Sequence, residues 1–390
     1  MRTVIGLERI AEYHELFAGK KIGLITNFTG ILPDLSKDTM DVFWDGGYQI
    51  ERIFTPEHGL YGAGAGEKVE DCVHPRYGIP VISLYGEHKK PTDNDVEGLE
   101  LLVYDIQDVG LRYYTYIYTM CYALDTALMR GIPFVILDRP NPLGGNLITG
   151  SRMEACCHSF VGDYELPMRY GLTVGEMAQY YLKYTGKKAE VKVIPLQNYA
   201  RNMMFPQTGL LWNVPSPSLP TYEGTLCYVG GGLFEATNIS EGRGSSRPFQ
   251  MYGAPFIDMD LLYRDVKEEW SENSVVFRKR SFVPGFSKHQ GQICFGLEFF
   301  PVEEACDFLP LALILMKAIV RRYPEQTVFH HLKEDGPHDR LKVLSGNDLA
   351  EQFVHEEITM RQLKEAWHAD AEKFREYCRD ILIYHEGEGM

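Results

Sequence analysis

No apolar run in this chain reaches the length needed to cross a membrane. The longest candidate, Phe308 to Val320, is too short and carries Lys317, so it reads as a buried helix. The segment Met1 to Lys21 sets acidic residues among its apolar ones and lacks a secretory apolar stretch. The expectation is a cytoplasmic protein as the sequence stands, or an extracytoplasmic one if a leader has been removed. Basic charge is also scarce: 39 Lys and Arg stand against 54 Asp and Glu, a net charge of -15. That balance excludes nucleic acid as the main partner, because phosphate binding needs a basic surface field. It leaves room for a small anion gripped by a few local arginines.

Metal and nucleotide signatures are missing as well. The eight cysteines are scattered, with Cys156 and Cys157 adjacent, and neither CxxC nor HExxH occurs, so no metal site is signalled. Free thiols in a reducing compartment are the expectation. Gly62, Gly64 and Gly66 followed by Glu67 do not fit GxGxxG, and there is no Walker A pattern and no GxSxG. Ser216 lies between two prolines, with no strand-to-helix elbow to make it a nucleophile. No cofactor is expected.

What is present is a globular chain of 390 residues, 45% apolar, long enough for two domains or for one large domain with a second lobe. Residues 21 to 140 alternate short apolar runs with helical patterns. Lys21 to Thr26, Ile50 to Phe54, Val81 to Leu84, Leu101 to Ile106 and Phe134 to Leu137 read as five strands. A helix from about Tyr114 to Met129, closed by Gly131 and Pro133, separates the last two, and Asp38 to Trp44 gives a weaker one. Strands that are polar only at their ends, alternating with helices, predict a parallel sheet covered on both faces.

Further on, Thr173 and Glu176 have the spacing of a capping box, which assigns Glu176 a structural role. Val191 to Ile194 reads as a strand, Trp212 to Pro220 as a Pro-rich loop, and Ser287 to Phe300 as an extended pair around Gly291. Asp258 or Met259 to Trp270, Phe308 to Arg322 and Thr359 to Leu382 read as helices. A boundary is expected near Gly150, giving lobes of 1–150 and 151–390.

In an open parallel sheet, ligands bind outside the carboxyl ends of the strands. Those ends carry Asn27-Phe28-Thr29-Gly30, Glu57-His58-Gly59, Tyr85-Gly86-Glu87, Asp105-Ile106-Gln107-Asp108 and Asp138-Arg139. All five would line one rim. Carboxylates, amides, guanidinium groups and aromatic rings dominate it, as suits a carbohydrate site; Tyr113, Tyr114, Tyr116 and Tyr118 follow Arg112 directly. A second cluster, Glu235-Ala236-Thr237-Asn238 running to Glu241-Gly242-Arg243-Gly244, either binds a ligand or builds a structural network. Glycosidic cleavage commonly uses two carboxyl groups, and one from each lobe across a cleft would supply them.

Taken together, Gly23-Leu24-Ile25-Thr26-Asn27, Pro56-Glu57-His58-Gly59, Ser83-Leu84-Tyr85-Gly86 and Asp105-Ile106-Gln107-Asp108-Val109-Gly110 resemble one bacterial family. Arg112-Tyr113-Tyr114-Thr115-Tyr116, Asp138-Arg139-Pro140-Asn141-Pro142, Trp212-Asn213-Val214-Pro215-Ser216-Pro217 and Ser240-Glu241-Gly242-Arg243-Gly244 continue the match. It runs through Phe286-Ser287-Lys288-His289 to Leu382-Ile383-Tyr384. The family is the NamZ-type exo-β-N-acetylmuramidases, long catalogued as a domain of unknown function. Two positions depart from its usual pattern, Ser245 after Gly244 and Ala236 after Glu235, both small for small.

The resemblance implies an α/β protein: a Rossmann-like parallel-sheet lobe without a nucleotide loop, plus a smaller α/β lobe, with the active cleft between them. It implies release of N-acetylmuramic acid from non-reducing ends of peptidoglycan fragments, a muropeptide or a muramic acid–glucosamine disaccharide being the partner. A non-catalytic muropeptide binder is the alternative. Glu57 would be the acid/base, its pKa raised by desolvation. Glu241 ranks ahead of Glu235 and Asp105 as the second carboxylate. His58 would bond Glu57, the sugar or its own loop. Asn27, Asp105, Gln107, Tyr114, Glu235 and Asn238 are the expected substrate contacts. Arg112, Arg139 and Arg243 are candidates for the lactyl carboxylate, with internal ion pairs as the competing role.

Overall fold

The structure, a computed structural model, describes residues 1–63, 69–86, 88–331 and 336–387. Gly64, Gly66, Glu67 and Glu87 lie outside the described residues. The chain forms two lobes, each α/β. The first contains β1 (Lys21–Thr26), α1 (Thr39–Asp45), β2 (Gln49–Thr55), β3 (Cys72–Val73) and β4 (Pro80–Ser83). It continues with β5 (Leu101–Asp105), α2 (Tyr116–Arg130), β6 (Phe134–Leu137), α3 (Val174–Thr185) and β7 (Val191–Ile194). The seven strands make one sheet in the order β3-β4-β2-β1-β5-β6-β7, parallel except for the antiparallel edge strand β3. The five strands expected upstream of residue 140 are all in it and all parallel. β7 joins the same sheet from beyond the boundary expected near Gly150, so the sheet does not end at that position.

Alternation along β5 shows why the sheet is covered on both faces. Leu101 and Val103 enter one buried apolar cluster with the 3-10 segment Gly6–Leu16 and α1. Leu102 and Tyr104 enter the other, with α2 and α3. Successive strand residues point to opposite faces, so a run buried at every position needs cover on both. α2 stops where its sequence says, at Gly131 with φ 64, a left-handed cap that glycine takes without penalty.

The second lobe contains α4 (Tyr222–Gly231), β8 (Met251–Ala254), α5 (Met259–Glu269), β9 (Val275–Phe282), β10 (Cys294–Pro301), α6 (Leu309–Arg322), α7 (Arg340–Ser345), α8 (Leu349–Val354) and α9 (Met360–Cys378). Its sheet is antiparallel, β8-β10-β9. The extended pair expected around Gly291 is therefore a correction: β10 pairs with β9, and Gly291 lies in the loop between them. β9 escapes sequence reading because Arg278, Lys279 and Arg280 interrupt its apolar pattern. The core cluster that covers α2 continues without a break through α4, α6 and α9, so the two lobes share one interior. After α9 the chain returns to the first lobe, where the Tyr384 hydroxyl donates to Asp138 at the end of β6, 2.6 Å. Among the described residues no helix is long and apolar enough to cross a membrane.

Candidate active site

β2 ends on the buried Thr55, the buried Pro56 follows it, and the chain then turns sharply. Gly59 N–H donates to Pro56 O at 3.0 Å, and both His58 (φ 70) and Gly59 (φ 69) are left-handed. For histidine that backbone costs about 1–2 kcal/mol, strain of the kind that collects at functional sites. The turn holds Glu57 half-buried, its Oε2 accepting from Thr115 Oγ1 at 2.8 Å. Thr115 is the N-cap residue of α2, yet its side chain makes no cap bond. Tyr85, just past β4, completes the surroundings: burial, then the charge of Glu57 and a hydrogen bond to it, push its phenol up to about 12. His58 Nε2 and Ser216 Oγ are in hydrogen-bond contact at 3.2 Å, and Tyr114 OH donates to Pro215 O at 2.6 Å, so the Pro-rich loop is tied across this turn.

The second lobe brings an acidic and basic cluster. Arg243 donates to Glu235 Oε1 at 2.6 Å and to Glu241 Oε1 at 3.3 Å, while Lys288 Nζ donates to Glu241 Oε2 at 2.8 Å. Glu241 is 1% exposed. Burial pushes its carboxyl up, but Lys288 and Arg243 together overcome that and hold it below the ordinary value. For Arg243, burial opposes the charge and the two glutamates outweigh it, raising its pKa.

A cavity of about 910 Å³ joins the two groups, lined by Glu57, His58, Tyr85, Tyr114, Thr115 and the loop residue Ser216 from one side and Tyr228, Glu235, Arg243 and Arg340 from the other. That volume lies in the range that encloses a small ligand. The Tyr228 hydroxyl is raised by burial first, then by Glu235, with Glu57 adding, so both carboxylates act on one ring.

Of the residues expected at the site, Glu57, His58, Tyr114, Glu235 and Arg243 line this cavity. The others lie elsewhere, each for a physical reason. Asp105 and Arg139 neutralise one another through two bonds, Nε to Oδ1 at 2.6 Å and Nη2 to Oδ2 at 3.0 Å, and Thr39 adds a third to Asp105. Asn27 accepts from the Thr29 backbone and hydroxyl, and Gln107 N–H donates to that same hydroxyl. Gln107 Nε2 is spent on Asp108 O and Pro140 O. Gln107 and Arg139 border a separate gap of about 30 Å³, room for a water. Arg112, expected on the rim, is fully buried and donates to the carbonyls of Ser151, Leu166 and Leu344; burial pushes its pKa down to about 10. Asn238 holds the 326–328 loop through Gln326 O and Val328 N. Glu241, ranked first as the second carboxylate, lies beneath Arg243 rather than on the cavity wall, and Glu235 takes the wall position.

Thr115 and Tyr85 stood in the recognised segments without a role assigned to them. Tyr228, Lys89, Phe160 and Arg340 also line the cavity. No local pattern marks them, because they come from irregular segments or from the starts and interiors of helices with weak sequence signals.

Models of the exo-β-N-acetylmuramidase NamZ family match nearly the whole chain, the N-terminal one over residues 22–223 and the C-terminal one over 226–384. The chain belongs to the NamZ family. Over 378 residues it is 38% identical to the peptidoglycan β-N-acetylmuramidase NamZ of Bacillus subtilis (strain 168), covering 96% of this chain and 89% of that protein. Two solved structures of DUF1343 family proteins from Bacteroides fragilis NCTC 9343 share the architecture. One superposes with a TM-score of 0.86 at 29% identity, covering 98% of this chain and 99% of the other. The second gives 0.74 at 25%, covering 99% and 100%. The two NamZ family models meet between residues 223 and 226, just past the start of α4, which leaves β7 with the N-terminal one.

Proposed function

We propose that this chain is a glycoside hydrolase that releases N-acetylmuramic acid from the non-reducing ends of peptidoglycan fragments, with Glu57 as general acid/base. The observation that carries the proposal is the shared cavity, in which Glu57 and Glu235 stand on walls from the two lobes of a NamZ family member. Thr115 and Tyr85 hydroxyls hold the Glu57 carboxyl in one orientation, as a proton donor to a departing glycosidic oxygen requires. We assign the second carboxylate to Glu235. Glu241 has both oxygens engaged by Lys288 and Arg243 and no access to a sugar.

Turnover of a muramic acid–glucosamine disaccharide tests the reading against a muropeptide binder, which would hold the disaccharide intact. Glu57→Gln should lower kcat by roughly 10²–10⁴-fold; turnover near that of the unmodified protein would sink the assignment. Glu235→Gln should lower kcat while Glu241→Gln should chiefly lower the melting temperature. Proton NMR of the first-formed anomer then separates inversion from retention.

A further inference from the structure

Hydrolysis needs a placed water as well as two carboxylates, and the inference that follows rests on the glycosidase reading above. Glu235 is held at one oxygen only. Arg243 donates to its Oε1 at 2.6 Å, and among the described residues Oε2 has no hydrogen bond. The side chain keeps 23% of its surface exposed on the cavity wall, so Oε2 is open to a water or a ligand.

Tyr228 reaches the same wall from α4. Burial raises the pKa of its phenol first, and the charges of Glu235, Arg243, Glu57 and Arg340 then act on it. All four of those residues line the cavity, so the hydroxyl lies among them, neutral and able to accept as well as donate. Among the described residues it makes no hydrogen bond, whereas a buried tyrosine hydroxyl usually has a partner. The ring itself is locked. Tyr113 meets it edge-on at 5.1 Å, and the Phe249 ring lies 4.4 Å away. Arg243 covers Phe249 at 5.1 Å, which ties this packing to the cation that holds Glu235. Tyr113 OH also donates to the carbonyls of Tyr228 and Val229, both at 2.6 Å. Gly232 leaves room for the two rings, since a Cβ there would come within 2.7 Å of Tyr113 and 3.1 Å of Tyr228.

We propose that Tyr228 and Glu235 Oε2 together seat the attacking water, with Glu235 as its general base, so that the glycosidic bond is cleaved with inversion. A water that gives one proton to Oε2 and the other to the phenol oxygen turns a lone pair toward the sugar. Its oxygen bonds to the anomeric carbon as the bond from that carbon to the leaving oxygen breaks. The proton shared with Oε2 passes to Glu235, and Glu57 protonates the leaving oxygen. The β-linked sugar is released as its α anomer.

Proton NMR during turnover of a chromogenic β-glycoside of N-acetylmuramic acid should show the α anomer first. The β anomer first overturns the proposal and leaves the glycosidase reading standing. Tyr228→Phe keeps the ring and its packing, so the melting temperature should match that of the unmodified protein while kcat falls about tenfold or more and KM changes little. Methanol gives the readout that a merely structural role would not move. It has one hydroxyl proton and cannot meet both acceptors, so the unmodified protein should favour water over methanol, and Tyr228→Phe should narrow that preference by about fivefold. An unchanged kcat in Tyr228→Phe overturns the proposal, and so does a kcat loss with an unchanged ratio of methanolysis to hydrolysis. No hydrolysis by the unmodified protein would sink it together with the glycosidase reading.

Discussion

Neighbouring strands of one sheet deliver polar groups to the same edge, and the two sides of that edge end differently. At β2 and β4 the groups are Glu57 and Tyr85, which open on the large cavity. At β1, β5 and β6 they are Asn27, which accepts from Thr29, and Asp105 and Arg139, which are buried and pair with one another. The difference lies in what each carboxylate meets. Asp105 faces a guanidinium presented by the adjacent strand and is neutralised with two bonds in a fork. Glu57 is met by hydroxyls, from Thr115 and Tyr85, which orient a carboxyl without cancelling its charge. A charged residue at a strand end is therefore ambiguous until its partner is known.

The comparison breaks most readily at Glu57 and Asp105. Glu57→Gln should remove roughly 10²–10⁴-fold of kcat and leave the melting temperature nearly unchanged, because a half-buried amide of the same shape keeps its contacts. Asp105→Ala should do the reverse. It strands the buried Arg139 charge and is expected to destabilise by about 3–5 kcal/mol in urea unfolding. Any sizeable stability loss in Glu57→Gln, or a pure activity loss in Asp105→Ala, would dissolve the distinction.

The closed side makes a further prediction through pH. Burial pushes Asp108 up to about 6, against the hydrogen bonds it accepts from Tyr170 and Gly110. Its folded pKa lies above the ordinary 3.8 of the unfolded chain. Between those values the folded state binds more protons, so this group's contribution is fully present below about pH 4 and lost as pH rises through 6. Asp108→Asn has no such proton to lose. The stability of the unmodified protein minus that of Asp108→Asn should therefore fall by up to about 3 kcal/mol between pH 4 and pH 7. A flat difference would show that Asp108 is solvated rather than sealed. Asp138, also pushed up to about 6 by burial, should behave alike.

These contrasts also mark how far the sequence could be read. β1 and β6 keep the bounds expected of them because a parallel strand buried on both faces is almost continuously hydrophobic, and β7, an edge strand with Lys192 exposed, keeps its bounds as well. The Thr173–Glu176 capping box is present, and Glu176 further binds Arg201 through both oxygens. α4 stayed hidden because its paired glycines at 230 and 231 argue against a helix; the first would strike the Ala312 methyl at 2.6 Å if it bore a side chain, so close packing demands it. For the site, residue type pointed to Glu57, His58 and Tyr114, which line the cavity, but gave no role to Thr115 and Tyr85. Arg112 and Arg243 look alike in sequence, yet one binds three carbonyls in the interior and the other two glutamates at the cavity. Those partners lie between 2 and 232 residues away in the chain, which no local pattern encodes.

The finest test of the open side is Thr115. An N-cap hydroxyl ordinarily accepts from the first turn of its helix, a bond commonly worth about 1 kcal/mol, but Thr115 at the start of α2 has an αR backbone (φ -74, ψ -13) rather than an extended one. It makes no such bond and donates to Glu57 instead. Thr115→Val keeps the shape, removes the hydroxyl and takes nothing from the helix that the helix was using. Stability should therefore change by no more than about 0.5 kcal/mol, while kcat falls about tenfold as the Glu57 carboxyl loses one restraint. Thermal melting and kcat on the disaccharide decide between the two roles. A lower melting temperature with unchanged kcat would make Thr115 a helix residue after all, and Glu57 would have to be oriented by Tyr85 alone.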